Sequence, residues 1–179
     1  MDRYRGASYI MECIAHWLSP LGGMTMSADE IGLTGLWFDG QKNFAEAISP
    51  DTVEEPSYPV FRQTVEWLSV YFGGSDPGFT PPLHLKGTPF RRLVWSVLLS
   101  IPYGETRTYG EVARAVSAAA GSIHASPRAA GGAAGHNPIS LIVPCHRVIG
   151  ASGCLTGYAG GLERKARLLA MEGISLYKR

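Results

Sequence analysis

The chain has 179 residues, of which 45% are hydrophobic and 17% charged; this excludes a disordered or fibrous protein and leaves room for one large domain or two small ones. Three cysteines cannot all pair, and their spacing fits neither a disulfide framework nor a zinc ribbon, so a reducing cytoplasm is the expected compartment. The net charge of +1 conceals a split: residues 1–85 hold 4 Lys/Arg against 11 Asp/Glu and residues 86–179 hold 12 against 4, so the second half either faces a polyanion or attracts the first.

Along the chain, residues 7–18 are apolar but interrupted by Glu12 and His16; they are too short to span a bilayer and read as a strand. Residues 24–27 predict a partner strand for residues 31–38, which end at Asp39-Gly40, a hairpin-turn signal. Residues 60–72 predict a helix with a stripe of Phe61, Val65, Leu68 and Phe72, ended by Gly73-Gly74. Residues 75–88, with Pro77, Gly78, Pro81 and Pro82, read as the link between two lobes, 1–85 and 86–179.

The second lobe opens on a helix capped by Thr88, with Pro89 in its first turn and an apolar face of Phe90, Leu93, Val94, Val97, Leu98 and Ile101. Thr108 and Glu111 form a capping box for a helix from Tyr109. Residues 128–135 are almost wholly alanine and glycine: either a mobile loop, since adjacent glycines each disfavour helix by roughly 1 kcal/mol, or a helix whose backbone can come very close to a partner. A last helix spans residues 162–172, with Gly173 closing it.

Residues 142–150 carry the chemistry, Ile-Val-Pro-Cys-His-Arg-Val-Ile-Gly. Pro144 ends an apolar run and presents Cys145 at a turn beside His146 and Arg147, either of which can favour a thiolate; alone, a Cys-His pair is more often an inert buried thiol. The flanks decide otherwise. Pro-Cys-His-Arg-Val, with Asn137-Pro138 before it and residues 157–162 (Gly-Tyr-Ala-Gly-Gly-Leu) after it, resembles the O6-alkylguanine-DNA alkyltransferases. Residues 32–38, 87–90 and 101–106 match in the same order, so the resemblance covers nearly the whole chain.

That resemblance implies an α/β first lobe, a small antiparallel sheet with a helix of the ribonuclease H-like kind. It also implies a mainly helical second lobe with a winged helix-turn-helix-like motif. The implied activity is direct DNA repair: one irreversible transfer per molecule of an alkyl group from O6-alkylguanine, and from O4-alkylthymine, to Cys145. No cofactor or metal is implied, and the implied partner is double-stranded DNA met by a monomer through the minor groove. The implied catalytic residues are Cys145 as nucleophile, His146 taking its proton through a water, Glu172 orienting that histidine, Tyr109 donating to guanine N3, and Asn137 tying the recognition element to the active-site turn. Val148 and the Tyr158-Ala159-Gly160 loop would bound the pocket. Arg128 would fill the vacancy left by a flipped base, or else contact phosphate, and Ala129, Gly131 and Thr108 would lie along the DNA.

One departure stands out. Tyr109 and Arg128 are nineteen positions apart, about five more than the family pattern, with the excess at residues 117–127. Cys13, Cys154, His84, His124 and His136 are expected to be structural or surface residues; Cys13 with His16 lacks two further metal ligands. Two other readings remain: a lesion-binding relative, against which Cys145 itself argues, and a cysteine hydrolase, whose histidine would lie far away in sequence.

Overall fold

The computed structural model describes residues 12–44, 48–49, 51–121 and 124–175, so the part of the first expected strand before residue 12 lies outside the described residues. Strands β1 (Cys13–Ser19), β2 (Gly22–Ala28), β3 (Leu33–Phe38) and β4 (Val53–Glu54) form a sheet in the order β3-β2-β1-β4. The first three run antiparallel, but β4 lies parallel to β1, so the sheet is mixed rather than antiparallel. The cause is topological: after β3 the chain crosses to the far edge and enters β4 in the direction of β1.

The turn at Asp39-Gly40 forms, with Gly40 at φ 72° and Gln41 donating to the Phe38 carbonyl, yet no hairpin follows it. The outer edge of β3 is already taken. Leu33 donates to the Pro82 carbonyl and accepts from the His84 amide, while Leu36 donates to the Pro138 carbonyl and accepts from the Ser140 amide. The expected linker thus pairs with the sheet at Leu83, and the second lobe adds a bridge at Ile139. His84 and Lys86 fasten the linker further, both to buried Asp29, at 2.8 and 3.0 Å.

Helix α1 (Pro59–Phe72) buries Val60, Phe61, Thr64, Trp67, Leu68 and Tyr71. Its buried face is rotated from the expected stripe: Val65 and Phe72 are only half-buried, while Trp67 and Tyr71 point inward. Helix α2 (Pro89–Leu99) is capped by Thr88, and Trp95 from its buried face donates to the Ala133 carbonyl at 2.9 Å. Strand β5 (Arg107–Thr108) pairs in parallel with β6 (Val148–Ile149). The capping box forms at α3 (Tyr109–Ala120), where Thr108 accepts from the Glu111 amide and Glu111 from the Thr108 amide.

The Ala/Gly stretch is a helix, α4 (Pro127–Gly135), capped by Ser126 and packed on α2 and α3 through Ala130, Ala133 and Ala134. Burial of the alanines and the Trp95 bond offset the helix cost of Gly131 and Gly132. Helices α3 and α4 make the helix-turn-helix. Helix α5 (Leu162–Met171) ends at Glu172, and Gly173 at φ 79° reverses the chain there.

Candidate active site

Cys145 begins a short 3-10 turn, Cys145–Arg147, after Leu141 takes the left-handed conformation at φ 70°. The Asn137 side chain organises this turn. Its carbonyl accepts from the Ile139 amide at 3.0 Å, and its Nδ2 lies 2.7 Å from the Val143 carbonyl and 3.1 Å from Cys145 Sγ. The Ile139 carbonyl also lies 3.2 Å from Nδ2, so its two hydrogens are shared among three acceptors. Burial pushes the Cys145 thiol pKa up; the Asn137 donor and the Lys165 charge pull it back.

Behind the cysteine, Glu172 gathers four donors. His146 Nε2 lies 2.7 Å from Oε1 and the Tyr71 hydroxyl donates to the same oxygen at 2.7 Å; Arg147 Nε reaches Oε2 at 2.8 Å and the Gly104 amide reaches it at 3.1 Å. Burial alone would raise the Glu172 pKa, but these donors hold it down to about 2. An ionised carboxylate only accepts, so Nε2 carries the imidazole hydrogen and the basic lone pair is on Nδ1. His146 is fully buried and Nδ1 has no protein partner, and burial lowers its pKa despite Glu172. The imidazole is therefore neutral at physiological pH.

Arg147 does not serve the thiol as its sequence position suggests. Its guanidinium is spent on Glu172 and the Ile101 carbonyl, against the Tyr103 ring. The nearby cation is Lys165, completely buried, whose Nζ donates to the carbonyls of Val148, Thr156 and Gly157. Burial lowers its pKa to about 8, opposed by the charge of Cys145. A lysine three residues before Leu168, on the apolar face of its helix, is the sequence signal that could have found it. Tyr71 gave no such signal.

Cys145 opens on a cavity of about 380 Å³, within the size range of small-molecule sites. Tyr109, Gly131, Tyr158 and Ala159 line it, as do Lys42 and Asn43 from the first lobe, which sequence reasoning missed. The Lys42 amide donates to the Ala159 carbonyl and Asn43 Nδ2 to the Gly135 carbonyl, so this first-lobe turn grips both walls. A Cβ on Gly131 would sit 3.3 Å from the Tyr109 ring, so a larger residue there would need the ring to give by a few tenths of an ångström. The Tyr109 hydroxyl donates to the Thr156 carbonyl at 3.2 Å, and burial raises its pKa, as it does more strongly for Tyr158; both stay neutral.

Other expected residues lie apart from the cavity. Val148 is buried, its amide paired with the Cys145 carbonyl and its own carbonyl with Lys165. Gly160 is buried against the Tyr158 ring. The Thr108 side chain is occupied by the capping box. Arg128 and Ala129 stand exposed in the first turn of α4. Among the described residues, no cluster of three or more His, Cys, Asp or Glu is placed to hold a metal, and no helix is long and apolar enough to cross a membrane.

This architecture, a small sheet lobe closing a helix-turn-helix lobe over a buried Cys-His-Glu constellation, is matched by known proteins. Residues 15–85 match the ribonuclease-like domain of 6-O-methylguanine DNA methyltransferase, and residues 89–174 match its DNA-binding domain. The methylated-DNA--protein-cysteine methyltransferase of Mycolicibacterium paratuberculosis is 47% identical over 154 residues, 86% of this chain and 88% of that protein. That of Methanosarcina acetivorans is 47% identical over 156 residues, 87% and 94% of the two chains. A crystal structure of Mycobacterium tuberculosis OGT in complex with DNA is 43% identical, covers 89% of this chain and 92% of its own, and superposes with a TM-score of 0.77. The chain belongs to the methylated-DNA--protein-cysteine methyltransferase family.

Proposed function

We propose that this protein repairs DNA by moving the alkyl group of O6-alkylguanine, and of O4-alkylthymine, onto Cys145. The observation that carries the reading is a buried thiol opening on a base-sized cavity, with a neutral imidazole behind it fixed in one tautomer by an ionised carboxylate. His146 Nδ1 takes the thiol proton by way of a water. The sulfur electron pair then forms the S–C bond as the C–O6 bond breaks, and its pair stays on the base. Asn137 Nδ2 and the Lys165 charge favour the thiolate, and the Tyr109 hydroxyl, released from Thr156, donates to guanine N3 as charge collects there.

The base must leave the helix to reach the cavity, at a cost of a few kcal/mol. Helix α4 exposes Pro127, Ala129, Gly132 and Gly135 beside Arg128 and no other long side chain, which lets its backbone enter a minor groove about 6 Å wide while Arg128 fills the stack. Val148 and Gly160 act by shaping the cavity wall from behind, and Thr108 by holding the start of α3. We place the work in residues 86–179, supported by residues 1–85, in a cytoplasmic monomer that acts once without a cofactor, because a thioether does not readily revert.

The test is intact-mass analysis after exposure to a duplex carrying O6-methylguanine. One methyl group per molecule on the Cys145 peptide is expected. Repeated turnover, or methylation elsewhere, defeats the reading.

A further inference from the structure

We propose that Tyr71, from the first lobe, is a positioning residue of the transfer: its hydroxyl holds Glu172 and sets how strongly that carboxylate draws on the His146 proton. The inference rests on the reading above that His146 accepts the Cys145 proton. Tyr71 is completely buried at the end of α1 and donates to Glu172 Oε1 at 2.7 Å, the same oxygen that receives His146 Nε2. The hydroxyl oxygen is also 3.2 Å from Nε2.

A buried tyrosine hydroxyl usually finds a partner, and by itself the bond to Glu172 is no more than that. Two observations go further. Oε2 is occupied by Arg147 Nε and Gly104, and Arg147 Nη2 reaches Oε1 only at 3.2 Å, so Tyr71 and His146, both at 2.7 Å, are the two close donors that share the charge of that oxygen. The ring is also fixed without the bond, stacked on Trp67 at 5.1 Å and 9° and edge-on to Phe72 and Tyr103. Donation to Oε1 withdraws charge from the acceptor of the imidazole hydrogen and keeps His146 less basic than an undivided carboxylate would make it. The charged groups facing His146 are Glu172, Arg147 and Lys165, and the neutral titratable ones are Tyr71, Tyr158 and Cys145. Tyr103 reaches Tyr71 and Arg147 rather than the imidazole.

The experiment is the pH profile of single-turnover transfer from a duplex carrying O6-methylguanine. Tyr71→Phe should move the acid-side midpoint up by about one unit, the tenfold change expected when one hydrogen bond to a charged group is lost. Replacing Tyr71 with 3,5-difluorotyrosine, a stronger donor of nearly the same shape, should move the midpoint down, and this arm survives if Tyr71→Phe does not fold. Phe72→Leu should lower thermal stability and leave the midpoint in place. In a Glu172→Gln background, Tyr71→Phe should no longer shift it. Normal wild-type transfer with both Tyr71 midpoints unmoved overturns this proposal alone; a wild-type protein that transfers nothing overturns the repair reading and this proposal with it.

Discussion

Asn137 Nδ2 lies 3.1 Å from Cys145 Sγ while the same amide group spans the carbonyl of Val143 and the backbone of Ile139. One side chain therefore shapes the turn and solvates the Cys145 sulfur. Asn137→Ala should raise the Cys145 thiol pKa further and slow its reaction with iodoacetamide at pH 7 about tenfold or more. It should also lower unfolding free energy by about 1–3 kcal/mol, because buried backbone groups lose their partner. The pH dependence of carboxamidomethylation and urea titration check the two effects separately.

Lys165→Met keeps the stem and removes the charge. The carbonyls of Val148, Thr156 and Gly157 lose their shared donor, and Cys145 loses its cation. Transfer should fall at least tenfold. Because Lys165 titrates at about 8, the wild-type rate should decline as pH rises through that value, and the variant should lack this decline. Quenched-flow rates from pH 6 to 10 supply the comparison.

The Glu172 carboxyl is held at about 2 from an ordinary 4.5. A depressed folded-state value means stability that is fully present above about 4.5 and is lost as pH falls through about 2. The linked contribution is about 3 kcal/mol. His146, buried neutral, adds to acid instability in the same direction as the unfolded chain takes up its proton. Urea midpoints in wild type should drop steeply across this window; Glu172→Gln should be weaker at neutral pH and flatter below pH 5.

Arg128 stands exposed at the start of α4. Arg128→Ala should leave thermal stability within about 0.5 kcal/mol of wild type, as for an ordinary surface change. Transfer from duplex DNA should slow about tenfold or more, since extrusion costs a few kcal/mol. Transfer from a free alkylated guanine base, which needs no extrusion, should be unaffected. Equal losses on both substrates would remove Arg128 from base flipping.

Side-chain chemistry that acts locally was legible in the sequence. Thr88, Thr108 with Glu111, and Pro89 mark helix starts because a cap needs only its own next turn. Cys145, His146 and Glu172 were found through a motif, and the structure brings them together through the 3-10 turn and the end of α5. What the residues alone could not decide depends on distant contacts. The α4 helix forms in spite of two glycines because Trp95 and the alanine face hold it, and neither is visible from residues 127–135 alone. The fourth strand is two residues long and has no periodicity to detect. Tyr71 carries no local signal, because its partner is 101 residues away in sequence.

The edge of β3 has a further consequence for handling the protein. It is paired at Leu33 by the linker and at Leu36 by residues flanking Ile139, so the second lobe completes part of the first lobe's border. A protease that nicks residues 85–89 would leave the Leu83 bridge within the first fragment, and the two fragments would still clasp each other at Leu36 through Pro138 and Ser140. Expressing either fragment by itself would instead bare the Leu36 amide and carbonyl or their partners at Pro138 and Ser140, an open edge that invites association.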